Sequence, residues 1–266
     1  MIEFETNKLF SLFYTAKYKK DKDYCDDYRK LMRPCHNIAF VIEGMGEIET
    51  ENTTITVKAG EILYIPQGAT YYSHWKASPS ITYHTIHFNF ASHCDPLGKF
   101  IMPIQILKCK DFEQAHESFE KIYALNKENK SAFLSISLFF GLCQELFEDI
   151  KLIPIKENDN PILPALTYLN TNTSAHTTIE NLASMCFMSP SRFHFLFKKH
   201  TGLSPIVYKN NLLIQKAAEA LLFEKGKSIE EISEQYGFES VIYFRRLFKK
   251  ATKKTPSEYR KEDILL

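Results

Sequence analysis

Residues 237–260 read GFESVIYFRRLFKKATKKTPSEYR. Phe244, Leu247 and Phe248 recur at helical spacing and form one apolar stripe. Arg245, Arg246, Lys249 and Lys250 fall around it, so the helix is apolar on one side and cationic on the other. The pattern occurs twice. Phe193, Leu196, Phe197, Lys198, Lys199, Thr201, Pro205 and Tyr208 match Phe244, Leu247, Phe248, Lys249, Lys250, Thr252, Pro256 and Tyr259 at a constant offset of 51. Upstream, Ile179 and Leu182 match Ile229 and Ile232 at an offset of 50, so the second turn is one residue longer.

Each copy reads as a short helix, a turn and a second, basic helix. Thr178 and Ser228 are N-cap residues for the first helices, Ser189 and Ser240 for the second. Pro190 suits N1, where its missing N–H costs nothing. Two helices joined by a short turn are the elements of a helix-turn-helix. Between the copies, residues 205–226 read as a helix of about 18 residues, spanning about 27 Å. That length suits two reading helices about one DNA turn, roughly 34 Å, apart.

Charge supports this division. Residues 160–266 hold 15 Lys+Arg against 10 Asp+Glu, a net of +5, whereas residues 1–159 hold 18 against 22, a net of −4. The whole chain carries only +1, so a polyanion is expected to meet the C-terminal part alone.

The N-terminal part changes period. Residues 37–50, 54–70 and 80–90 read as short strands with Gly/Pro turns, the signature of a sandwich or small barrel. In 80–90, Tyr83, Thr85, His87 and Asn89 share one face and His84, Ile86, Phe88 and Phe90 the other. Gly44-Met45-Gly46 lacks the third glycine and following helix of a dinucleotide site and reads as a hairpin turn. His74, His84 and His87 lack an HxH…E arrangement, so neither metal nor cofactor is expected.

Residues 111–125 and, after NKENKS, residues 132–147 then read as two helices, the second apolar over most of its circumference. Such a helix needs a partner on each side; a homodimer supplies the second. Residues 151–165, with three prolines, read as a linker between residues 1–150 and 166–266. The six cysteines show no metal or disulfide spacing and read as reduced thiols. The start, MIEFETNKLFSLFY, lacks signal-peptide character, and no stretch suits a membrane span, so a cytoplasmic protein is expected.

The double motif, with GF-x-S-x-x-YF-x-R-x-FKK…TPSEYR at 237–260 and FKKHTGLSP-x-x-Y at 197–208, resembles AraC-type transcription regulators. The barrel stretch around YIPQG (64–68) and the helical hairpin resemble that family's cupin-like regulatory domain. The resemblance implies an α+β multidomain fold: an N-terminal cupin-like β-barrel with a helical hairpin, then a C-terminal all-α double helix-turn-helix. It also implies an effector pocket in the barrel and dimerisation through the helices. Two positions depart from the family: Lys253 stands where the first copy has Gly202, and Leu213 where many relatives have arginine.

By family position, Ser191, His194 and Phe195 in the first copy and Val241, Ile242 and Arg246 in the second are expected at bases. Arginine reads guanine O6/N7, and apolar groups pack on the thymine methyl. Arg192, Lys198, Lys199, Arg245, Lys249 and Lys250 are expected at phosphates, which position without specifying. In the barrel, Glu43, Tyr72, Trp75, Tyr83, His84 and His87 are the effector candidates, since aromatic faces and a few polar groups suit a sugar. The expected partners are therefore double-stranded DNA, a small effector, a second copy and RNA polymerase. The competing readings are a ligand-independent regulator whose barrel only dimerises and, against the missing metal triad, a cupin enzyme with a DNA-binding tail.

Overall fold

The computed structural model describes residues 9–29, 33, 35–91, 94–98, 100–127, 132–154, 160–171, 177–224, 226–252 and 254–261. The chain divides into two compact units, cut between Ile153 and Pro154. The cut falls inside the stretch read as a linker, but a helix already begins at Leu163. Among the described residues, no helix is long and apolar enough to cross a membrane.

The first unit contains strands β1 (Phe10–Lys20), β2 (Tyr24–Asp27), β3 (His36–Glu43), β4 (Met45–Glu49), β5 (Thr54–Lys58), β6 (Ile62–Ile65), β7 (Tyr72–Lys76), β8 (Ile81–Phe90), β9 (Phe100–Ile101) and β10 (Gln105–Leu107). One sheet runs β1-β8-β3-β6-β10 and a second β2-β7-β4-β5, while β9 pairs with a short strand β11 (Ile153–Pro154). Alternation on β3 explains their placement. Ile38 and Phe40 point to helices α1 (Phe112–Lys127) and α2 (Ala132–Leu146), where they meet Phe119, Ile122, Phe139 and Leu142. Ala39 and Val41 point the other way and share a core with Ile48, Val57 and Trp75 of the second sheet. Both faces of the five-stranded sheet are therefore covered, and each fully buried Phe or Ile contributes about 1.5–3 kcal/mol.

Gly46 shows how tightly the second core is packed. A Cβ there would come within 2.9 Å of the Trp75 ring. Trp75 in turn stacks on Tyr83 at 5.1 Å and on Tyr24 at 6.1 Å.

The second unit is helical: α3 (Leu163–Thr171), α4 (Ile179–Met185), α5 (Pro190–Thr201), α6 (Pro205–Phe223), α7 (Ile229–Gln235), α8 (Val241–Thr252) and α9 (Pro256–Arg260). The caps lie where side-chain chemistry places them. The hydroxyls of Thr178, Ser189, Ser204, Ser228 and Thr255 accept backbone N–H bonds at the starts of α4, α5, α6, α7 and α9. The Ser240 hydroxyl accepts from the Tyr243 amide at the start of α8. Gly202 ends α5 at φ 74°, a conformation that costs glycine nothing. Its counterpart, Lys253, lies outside the described residues.

Helix α6 serves both modules. Ile214, Ala217 and Leu221 form one core with Ile232, Phe244 and Phe248. Nearer its start, Tyr208 meets Phe197 edge-on at 5.2 Å. Leu213, the position where the family resemblance implies arginine, is buried and so is an apolar core position here. In the turn between α4 and α5, Phe187 adopts φ 53° although it is almost wholly exposed, at the position matched by Gly237 (φ 72°) in the second copy. The turn geometry is retained there at a backbone cost that glycine avoids.

Candidate nucleic-acid interface and barrel interior

The stripes Phe193/Phe197 and Phe244/Phe248 are fully buried and fix which side of α5 and α8 faces outward. On α5, Ser191, Arg192, His194, Phe195, Lys198 and Lys199 are all exposed. Phe195 keeps 68% of its surface in solvent, unusual for a side chain of that size. On α8, Ile242 is 75% exposed, whereas Val241 is half-buried. Arg246 is exposed and lies over the Tyr243 ring at 5.4 Å, which pre-orients its guanidinium. Lys249 and Lys250 are exposed. Arg245 instead donates to Glu230 of α7 at 2.6 Å. This is a surface pair worth about 0–1 kcal/mol, weak enough to be exchanged for a phosphate.

The barrel candidates divide by strand phase. Trp75, Tyr83 and His87 point between the sheets and are buried. Glu43 sits at the end of β3, beyond a register shift, and its carboxylate accepts from the Ser80 hydroxyl. Tyr72 and His84, grouped with these in the sequence reading, are turned to the opposite faces by alternation. Tyr72 is half-buried beneath the Arg29 guanidinium at 4.8 Å. His84 is buried against α1, with Nδ1 3.3 Å from Glu120 Oε1.

The interior also holds Arg33 and Tyr28, which the sequence did not single out. Arg33 Nη1 donates to the Tyr71 hydroxyl at 3.4 Å, Nη2 lies 3.3 Å from His87 Nδ1, and Tyr28 lies beneath the guanidinium at 5.0 Å. Because arginine only donates, His87 Nδ1 is the acceptor, and Nε2–H donates to Thr85 Oγ1 at 2.9 Å. Burial, reinforced by the Arg33 charge, pushes the His87 imidazole well below its usual range, so it is neutral. Burial works against the Arg33 charge, but an arginine guanidinium stays protonated, and the Tyr71 and Tyr28 phenols stand beside it. Burial raises the phenols of Tyr71 and Tyr28, leaving both protonated as donors. Among the described residues no carboxylate pairs with Arg33, and its Nε is buried without a hydrogen-bond partner. Arg33 lies between strands, where no periodicity marks it.

A family described as a helix-turn-helix domain matches residues 182–262, the segment that carries both reading helices. Over most of its length the chain is similar to two regulators of sugar operons. The lactose operon transcription activator of Staphylococcus xylosus is 25% identical over 228 residues, covering 83% of this chain and 81% of that one. The raffinose operon transcriptional regulatory protein RafR of Pediococcus pentosaceus is 25% identical over 240 residues, covering 86% of each. In fold, the chain is similar to unsaturated fatty acid-bound ToxT of Vibrio cholerae, with a TM-score of 0.67 at 16% identity, covering 98% and 97% of the two chains. The matched domain is of the AraC type. The chain thus shares with ToxT the fold of a β-rich unit followed by a helical unit, the latter carrying the matched domain. Helices α5 and α8 each present one exposed apolar residue, Phe195 and Ile242.

Proposed function

We propose that this regulator reads DNA through α5 and α8 and that a small polar molecule held between its sheets controls the reading. The observation that carries the first part is the matched outward face of two capped helices built on one shared helix, α6. In this reading Ser191, His194, Phe195, Val241, Ile242 and Arg246 meet bases. Arg192, Lys198, Lys199, Arg245, Lys249 and Lys250 meet phosphates. Arg246→Ala is expected to cost about 1–3 kcal/mol and to relax preference at one base pair. Lys250→Ala is expected to weaken all sequences alike and to lower the salt slope by about 1. Binding titrations against a panel of single-base variants at several salt concentrations separate the two. Equal loss on every sequence for Arg246→Ala removes its base-reading role.

A sugar is the effector class supported by the two sugar-operon relatives and by the stacked Tyr24, Trp75 and Tyr83 rings beside hydroxyl donors. That no carboxylate among the described residues pairs with Arg33 favours a second reading, a ligand that carries a carboxylate. Neutral sugars and sugar acids are therefore tested side by side by thermal denaturation. At about 100 times Kd, a binder of the folded state adds about 2.7 kcal/mol of stability. No shift with either class supports the barrel as a dimerisation platform alone. Dimerisation belongs to the same proposal: Phe133, Leu134 and Phe140 of α2 remain exposed and suit a second copy. Sedimentation of the full chain tests it, and a monomer at micromolar concentration sinks it.

A further inference from the structure

His84 leaves the barrel interior and arrives in a different kind of site. Its Nδ1, the Nε2 of His116 and a carboxylate oxygen of Glu120 lie within 4.8 Å of one another. His116 and Glu120 are one turn apart on α1, so both face the strand that carries His84. Glu120 Oε1 is 3.3 Å from His84 Nδ1 and 3.6 Å from His116 Nε2. Four ligand atoms placed tetrahedrally about 2.0–2.1 Å from a zinc-sized ion are separated by about 3.3–3.4 Å, so the two Glu120 spacings are close to those of ligands about a common centre.

We infer that His84, His116 and Glu120 bind one divalent transition-metal ion of the zinc class and thereby clamp α1 onto β8. The donor set, two imidazoles and one carboxylate, suits zinc and its neighbours rather than magnesium or calcium, which prefer all-oxygen shells. A second observation points to a ligand. The His84 side chain is 6% exposed, yet its Nδ1 makes no hydrogen bond; the nearby Glu120 oxygen is not in line with it. The site is also held in shape. The His116 ring stacks on Phe40 at 5.4 Å, and the His84 ring on Tyr123 at 6.4 Å. Lys17 donates to Glu120 Oε2 at 2.5 Å, which occupies that oxygen and leaves Oε1 facing the imidazoles. Three protein ligands leave a fourth position for water.

The test uses the full chain, stripped with a chelator and titrated with Zn(II), and with Co(II) as a coloured substitute. One tight equivalent is expected, with Co(II) showing the absorption of a four-coordinate nitrogen/oxygen site. His116→Ala and Glu120→Ala, both at half-exposed positions, are each expected to weaken it by more than about 100-fold, beyond the loss seen for outer-shell partners. Trp75 fluorescence establishes that each variant retains its barrel, and if one does not, the other decides. Failure of the wild type to take up a tight equivalent overturns the assignment. So does undiminished uptake by either folded variant, since scattered histidines and cysteines would then account for the metal.

Discussion

Phe248→Ala is expected to unfold the second helix-turn-helix module, while Ile242→Ala, six residues earlier on the same helix, leaves it folded. Phe248 has no exposed surface and meets Phe244 at 5.5 Å and Tyr259 at 5.4 Å. Truncating a buried Phe costs about 3–5 kcal/mol, because the transfer loss is compounded by the cavity left behind. Domains are stable by only about 5–15 kcal/mol, so much of the module's margin is removed. Ile242 is mostly in solvent, and its truncation should change stability by no more than about 0.5 kcal/mol. DNA affinity separates the pair again. Phe248→Ala should lose binding to every sequence. Ile242→Ala should lose it selectively, by about 1–3 kcal/mol, at a position where a thymine methyl is read. Urea melts followed by circular dichroism measure the first effect. The single tryptophan, Trp75, lies in the barrel, so its fluorescence transition should stay in place in both variants. A large stability loss in Ile242→Ala would mean that this side chain supports the fold rather than meeting DNA.

Arg33→Leu is expected to act with opposite signs on folding and on binding. Among the described residues the guanidinium has phenol, imidazole and ring neighbours but no carboxylate. Removing a partly buried charge that lacks a counter-ion should leave the unit as stable or slightly more so. A carboxylate ligand, by contrast, loses its ion pair. Truncating one member of a buried hydrogen-bonded charge pair costs about 2–5 kcal/mol of affinity. The melting shift produced by a sugar acid should therefore vanish in Arg33→Leu, whereas a shift produced by a neutral sugar should largely survive. Retention of the acid-induced shift would place the ligand's charge elsewhere.

Much of this was legible in the residues. The offset of 51 between the copies, the capping hydroxyls and the Phe/Leu/Phe stripes are relations among neighbours a few positions apart, and local geometry expresses them directly. The N-terminal unit was legible only as a class. Tyr83 and His84 are adjacent on a strand buried on both sides, so hydropathy cannot tell which of them faces the interior. The alternation was correct in the sequence, but its phase was not in it.

By itself, then, the sequence determined the repeated helix-turn-helix, its two outward basic faces and a β-rich unit before it, because spacing and caps act within single elements. Only the tertiary structure decided that Arg33 stands among phenols, with no carboxylate beside it among the described residues. Only it brought His84 to His116 and Glu120, and only it made Leu213 a core residue. Those outcomes depend on packing between elements distant in the chain. The free energy of such contacts belongs to the assembled pair of surfaces and is not encoded in the periodicity of either one alone.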